Sequence, residues 1–473
     1  MWQQYRHKYG HTMFTGMTVA AMGVFLTVLG ATLVACSFQA PPGLVLNTPD
    51  GIYEVLNSAP YKDLIESQRA TYAEVPGLLK VQHGLGCALA TEAARPDYIG
   101  LRIHDMAALP PGYNTGTVFL NGWRLEYQSG DHKVHGLGSA IFNITHDITQ
   151  TQTGPHHELH WEAGGVISDR NGDDAYKWCY IYTLIFWYRD PSVIHTSLRP
   201  QIDALPFQVD DNPAPLIFVH PAGADPGNDT ARRALPGGVS LPYPVPRAVL
   251  PRGFGLTWSV ATEEDHNLLQ AGFDLGTPVA SGNTINWTSA TLWKDDSARR
   301  DYYGAELISI LNGQGVQMLH PAKVLRWSDS LGRWQLQSNT VPLSPHEPEG
   351  LGCVGGEELI QTRYSVQNVP FDYAVPVLTG WQLEYPCSDH HVKTIGVWLK
   401  GFSYVKAPGA RTGTLFYTIE STLADAALRG THGGEAQHKI SVLGLNRSGL
   451  LPPTSTGSTG TSVPLPHLLE LSR

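Results

Sequence analysis

The stretch Leu120–Gly138 (LNGWRLEYQSGDHKVHGLG) returns at Leu378–Gly396 (LTGWQLEYPCSDHHVKTIG) with ten of 19 positions identical and no gap. A weaker copy stands between them in RGFGLTWSVATEEDHNLLQAG. There Gly253-Phe254-Gly255-Leu256-Thr257-Trp258 matches G-W-x-L-x-Y, and Asp265-His266 follows after three extra residues. The anchor aromatics Trp123, Phe254 and Trp381 are 131 and 127 residues apart, a near-constant spacing of the kind tandem duplication leaves. A chain with three such copies is expected to build one unit three times, and this constrains its fold more than any other feature.

Further echoes keep the same order. Trp161, Trp287 and Tyr417 each have an aspartate eight residues later, namely Asp169, Asp295 and Asp425, and a β-rich run follows each. Upstream, Gly84-Leu85-Gly86-Cys87 recurs as Gly350-Leu351-Gly352-Cys353. In G-W-x-L-x-Y the alternate Trp, Leu and Tyr share one face of a strand at period two, so that face should enter a core. Gln-Ser-Gly-Asp at 128–131 reads as a turn, with Val134 beginning the returning strand. Only 16% of residues are charged, while Gly (49), Pro (34), Trp (12) and Tyr (20) are plentiful, which suits antiparallel β layers better than helical or doubly wound folds.

The expected fold is therefore all-β: three tandem antiparallel β-sandwich modules from internal duplication, over 76–200, 201–330 and 331–447. Helical periodicity surfaces only around 51–72, where Tyr53, Leu56, Leu64 and Ile65 predict a short helical segment within a linker over 36–75. The Ser/Thr/Pro-rich stretch 448–473 reads as a disordered tail.

Residues 1–12 carry Arg6, Lys8 and no acid, and residues 17–35 (MTVAAMGVFLTVLGATLVA) are apolar and uncharged up to Leu33-Val34-Ala35-Cys36. That order is a secretory signal over 1–35. The Leu-Val-Ala-Cys ending resembles the lipobox of bacterial lipoproteins, a resemblance confined to residues 1–36. It implies that the signal is cut before Cys36, that Cys36 is lipidated, and that a lipid bilayer is a partner. Ser37 then implies sorting to the outer membrane or cell surface. Several acyl chains at roughly 0.8 kcal/mol per buried methylene make such an anchor effectively permanent. A plain transmembrane anchor is the alternative, since about 19 apolar residues just suffice to span. With 42 acids against 32 bases and no basic run, nucleic acid is excluded as a partner.

After Cys36 four cysteines remain, and four allow three pairings. Cys87–Cys179 and Cys353–Cys387 are favoured because each pair lies inside one copy. No CxxC spacing points to a zinc-thiolate site.

Several groups are candidates for chemistry. The recurring pairs Asp131-His132, Asp265-His266 and Asp389-His390 read as turn-closing aspartates beside packed imidazoles, the alternative being a metal or sugar-hydroxyl site. Adjacent residues on a strand point to opposite faces, so Asp and His are not expected to converge. In Pro155-His156-His157-Glu158-Leu159-His160-Trp161, a strand would place His156, Glu158 and His160 on one face, as a zinc or copper set; no counterpart precedes Trp287 or Tyr417. Asp169, Asn171 and Asp173 alternate as oxygen ligands do in calcium loops, although Asn171-Gly172 is equally a tight-turn pair. No cofactor is expected from the sequence, with calcium or a transition metal the one class left open. G-x-S-x-G, HExxH and phosphate loops are missing from the sequence, and no carboxylate pair is singled out by spacing, so no catalytic residue is assigned. The leading functional expectation is a cell-envelope lipoprotein displaying its repeated β units for glycan or protein binding or a structural role. The alternatives are an envelope hydrolase with one catalytic module and a metal-handling lipoprotein using the His156–His160 cluster.

Overall fold

The described residues form β-strands and the segments beside them, with no helix among them. The computed structural model describes residues 59, 61–75, 79–91, 100–152, 154–169, 174–187, 208–209, 216–222, 233–240, 247–258, 266–281, 284–295, 302–312, 316–320, 325–326, 340–344, 360–385, 389–426 and 435–446. The signal and lipobox, Cys353, Cys387, Asp265, Asn171, Asp173 and the C-terminal stretch lie outside them.

The first third of the chain supplies β1 (Glu66–Val75), β2 (Leu79–Ala90), β3 (Leu101–Ala108), β4 (Thr115–Tyr127), β5 (Gly136–Thr151), β6 (Gly154–Ser168) and β7 (Tyr176–Trp187). The middle supplies β8 (Gln208–Val209), β9 (Leu216–Ala222), β10 (Arg233–Ser240), β11 (Arg247–Trp258), β12 (Gln270–Asp274), β13 (Val279–Ser281), β14 (Thr284–Lys294), β15 (Tyr302–Asn312), β16 (Val316–Leu319) and β17 (Leu325–Arg326). The last third supplies β18 (Thr340–Ser344), β19 (Ile360–Val369), β20 (Tyr373–Glu384), β21 (Thr394–Val405), β22 (Gly413–Ala424) and β23 (Glu435–Leu445).

These strands form three antiparallel sheets. One runs β1-β2-β7-β4-β21-β22-β19-β18, a second β10-β14-β12-β20-β23-β16, and a third β3-β6-β5-β11-β15-β8. The all-β, antiparallel expectation therefore holds. In each copy the chain leaves one sheet at the Asp-His turn and enters the next, passing from β4 to β5, β11 to β12 and β20 to β21. Neighbouring segments consequently share sheets, through the pairs β4–β21, β5–β11 and β12–β20. Their registers correspond: Gly396 faces Arg124, Gly138 faces Gly255 and Gly272 faces Gln382, each opposite the residue after an anchor aromatic.

The alternation read from G-W-x-L-x-Y is realised in all three copies. Trp123, Leu125 and Tyr127 are buried, as are Phe254, Leu256 and Trp258, and Trp381, Leu383 and Tyr385. One contiguous apolar cluster takes in all nine side chains. A β-bulge precedes each motif, its extra residue being Asn121, Arg252 or Thr379, all buried. Asn121 turns its bulge into a tie between segments. Its amide donates to Thr183 Oγ1 and the Pro376 carbonyl and accepts from the Leu378 amide at 2.8 Å. Gly122 follows with φ +153°, and a Cβ there would lie 2.3 Å from Trp398 Cα. The β4–β21 crossing needs glycine for that reason.

The helical segment expected within 51–72 is corrected by the structure. Residues 66–75 form strand β1, laddered onto β2 from Glu66↔Cys87 to Val75↔Leu79. Tyr72 is buried and stacks on Phe402 at 4.3 Å between centroids. That long-range pairing outweighs a weak local helical spacing. The Cys87–Cys179 disulfide is present and joins directly opposed residues of β2 and β7. It packs with Leu85, Ile181 and Trp398 in a small apolar cluster of its own.

Candidate metal centre

The three Asp-His turns meet one another. His132 pairs with Val392, Val134 with His266, and Leu268 with His390, each as an isolated antiparallel bridge. Six backbone hydrogen bonds of 2.8–3.4 Å close this ring, so every segment is bonded to both others. The turn sequence sets the geometry: the histidine and the apolar residue two positions on both extend, and Val134, Leu268 and Val392 are buried.

Each histidine ring lies against the last aromatic of its G-W-x-L-x-Y motif: His132 on Tyr127, His266 on Trp258, His390 on Tyr385, at 4.6, 5.2 and 4.9 Å. Each Nδ1 reaches a carboxylate: Asp174 at 2.8 Å, Asp295 at 3.3 Å and Asp425 at 3.5 Å. In the two pairs whose aspartate is described, Asp131-His132 and Asp389-His390, the two side chains diverge, as strand geometry requires. The two described aspartates, Asp131 and Asp389, reach across segments, and Asp131 also accepts its own backbone amide. Asp131 Oδ2 accepts the Ala426 amide at 3.1 Å and its Oδ1 lies 3.5 Å from His391 Nδ1, while Asp389 accepts from Asn267 at 3.3 Å. Burial pushes the Asp131 carboxyl up, but Ala426 and His391 together outweigh it and hold it below its ordinary value.

The first segment departs from the other two. Asp169 follows Ser168, whose carbonyl accepts the His135 amide, just as the carbonyls of Lys294 and Ala424 accept those of Leu269 and Lys393. Asp169 is thus the positional counterpart of Asp295 and Asp425, yet His132 contacts Asp174. Both carboxylates are present: ligand atoms of His132, Asp169 and Asp174 all lie within 4.8 Å of one another. Among the described residues no other set of three His, Cys, Asp or Glu side chains gathers so closely. Asn171 and Asp173, expected beside Asp169, lie outside the described residues. Asp174 was not singled out in the sequence, although it stands five residues after Asp169 where the other segments have Arg300 and Gly430.

The second cluster lies on β3, β5 and β6. Glu158 stands between two imidazoles, its Oε1 3.1 Å from His156 Nε2 and its Oε2 3.2 Å from His160 Nε2. Asp147 reaches His160 Nε2 at 3.6 Å from β5, and His104 Nε2 meets His160 Nδ1 at 3.1 Å from β3. Met106 lies opposite His160 in the ladder and is exposed. On the other side of the ribbon His146 and His157 stack at 5.2 Å, and burial lowers the basicity of both. The strand reading of the HHELH stretch thus places His156, Glu158 and His160 side by side. His104, Asp147 and Met106 were missed because they come from other strands.

Between sheets, Asp105 Oδ2 accepts the Tyr180 hydroxyl at 2.5 Å, and Tyr180 accepts Trp161 Nε1 at 3.1 Å. Arg69 donates to Tyr182. Trp287 donates to Glu306 at 2.9 Å with the same 19-residue separation as Trp161 and Tyr180, so this buried contact recurs with a different partner. No protein-family model matches this chain, and no curated protein does.

Proposed function

We propose that the chain is a cell-envelope lipoprotein, anchored through Cys36, whose head of three duplicated β segments presents a binding surface on the β3–β5–β6 face. The carrying observation is that face. Histidines and carboxylates from three strands stand exposed or half-buried on a rigid ladder, and the sequence offers nothing comparable before Trp287 or Tyr417. Duplication is supported by the equivalent bulges, registers and bridges of the three copies. A scaffold fixed so firmly at its centre leaves its outer strands and loops free to specialise, the arrangement that binding modules exploit. The ligand in this reading is an envelope glycan or protein.

A metal-handling role is the second reading, favoured by one observation: Glu158 holds His156 and His160 on either side while His104 and the exposed Met106 adjoin them. Imidazole and thioether donors together suit copper and zinc.

The test has two arms. Alkyne-palmitate labelling should mark the wild type and not Cys36→Ser; labelling of that variant would end the anchor reading. Immobilised full-length protein in detergent should retain envelope glycan or protein, and lose it on combined Glu158→Ala and His160→Ala. Retention unchanged by that pair would remove the face from the binding role. Retention of copper or zinc alone, lost in the same variant, would select the second reading.

A further inference from the structure

The recurrence of the Asp-His turn supplies an internal comparison. In the second and third segments one imidazole meets one aspartate, at 3.3 and 3.5 Å. In the first segment the same imidazole meets a second carboxylate as well, and its orientation is fixed from the far side. His132 Nε2 lies 2.8 Å from the Ser129 carbonyl, which can only accept, so Nε2 carries a hydrogen. Nδ1 then turns its lone pair toward Asp174 Oδ2 at 2.8 Å unless a proton or a metal cation stands there. Asp169, buried, adds a second negative charge inside the same 4.8 Å. Two carboxylates this close repel, and a cation seated between them relieves that repulsion. A divalent cation compensates both and takes the Nδ1 lone pair at once.

We infer that His132 Nδ1, Asp169 and Asp174 bind one divalent transition-metal ion of the zinc class. The donor set decides the class. Imidazole nitrogen with carboxylate oxygens suits zinc, with bonds of about 2.0–2.2 Å, whereas calcium takes six or more oxygens and gains little from a ring nitrogen. The placement gives the ion a task. Asp169 and Asp174 flank the β6–β7 connection, and His132 bridges through its backbone to Val392 of the third segment. A bound ion therefore fastens a loop of the first segment to the junction of all three. Arg300 and Gly430, at the spacing of Asp174 in the other segments, fit this reading: neither is a metal ligand. The inference is independent of the β3–β5–β6 face and of its proposed role.

The experiment uses the full chain in detergent with His156→Ala and His160→Ala as background, so that zinc at that face does not interfere. Zn2+ titrated by calorimetry should bind one equivalent and raise the melting temperature. Asp174→Asn, nearly isosteric, should fold with the same metal-free melting temperature, bind Zn2+ at least about tenfold more weakly and lose the thermal shift. His266→Asn in the second segment should lower the metal-free melting temperature yet keep the zinc equivalent. Equal zinc affinity and an equal thermal shift in Asp174→Asn would overturn the site. So would loss of the equivalent in His266→Asn, which would make the ring as a whole, and not the added carboxylate, the binding element. Saturation by Ca2+ at the same affinity would overturn the assignment to the zinc class.

Discussion

Trp123 and Trp381 sit ring against ring with 5.0 Å between centroids, and Phe254 closes the triangle at 4.9 Å from each. The three anchor aromatics, so far apart in sequence, are one packing unit. Their mutual angles of 51–69° are tilted to edge-on, the arrangement in which ring quadrupoles attract. The head's stability is thereby concentrated at the place where no segment stands alone.

Truncation there should be costly and non-additive. Trp381→Ala is expected to lose roughly 3–5 kcal/mol, as for a core aromatic. Trp123→Ala with Trp381→Ala should cost less than the sum of the single losses, because the second truncation enters an existing cavity. Urea unfolding of the singles and the double measures this. Strictly additive losses would mean that the rings do not act as a unit.

What was legible in the sequence was what repeats. Period-two burial of Trp123, Leu125 and Tyr127, and its recurrence after Gly253 and Gly380, could be read directly because a strand face needs only local alternation. The assignment of strands to sheets could not: β4 lies beside β21, and β5 beside β11, through hydrogen bonds that no local pattern encodes. The same limit explains the sites. His156, Glu158 and His160 share one strand face and were found together, whereas His104 and Asp147 reach them across the sheet. Asp169 stood out by spacing from Trp161, while Asp174 gained meaning only once His132 was seen to point at it.

The Cys87–Cys179 bond crosses two adjacent strands and closes a loop of 92 residues in separation. Replacing both by Ala should lose about 2–4 kcal/mol, most of it by freeing the unfolded chain. Chemical denaturation of the double variant against the oxidised wild type is the measurement. A loss that vanished under reducing conditions for both proteins would confirm the bond as the cause, and a loss persisting there would assign it to packing against Trp398.

Three buried groups set opposite pH limits. Burial lowers His83 to about 4 and His438 to about 3, against about 6.5 unfolded. As pH falls below about 6.5 the unfolded chain takes protons that the native state refuses. Stability, full above that value, is therefore lost down to about pH 3–4, on the order of 3–5 kcal/mol per histidine. Burial raises Glu306 to about 7 although Trp287 donates to it. Its contribution runs the other way, present below about pH 4.5 and lost as pH rises toward 7. Glu306→Gln keeps an acceptor for Trp287 and removes the ionisation. It should gain on the order of 3 kcal/mol at pH 8 and nothing at pH 4. Equal effects at both pH values would show that Glu306 ionises in the native state as it does in the unfolded one.

The remaining prediction concerns His266 and His390. His266 is buried against Trp258 with Nδ1 on Asp295, and His390 lies on Tyr385 with Nδ1 on Asp425. Each also carries one bridge of the three-way ring through its backbone, which an alanine would keep. Removing only the side chain therefore isolates the imidazole: His266→Ala and His390→Ala each leave a carboxylate that has lost its ring partner, at a cost of roughly 1–3 kcal/mol. His266 should stand at the upper end, because Asp295 is the more buried of the two aspartates. Thermal unfolding with metal analysis of the same samples separates stability from binding. A lowered melting temperature at unchanged metal content would mark these two pairs as struts of the junction. Loss of metal at an unaltered melting temperature would instead make them ligands, and the junction a threefold binding site.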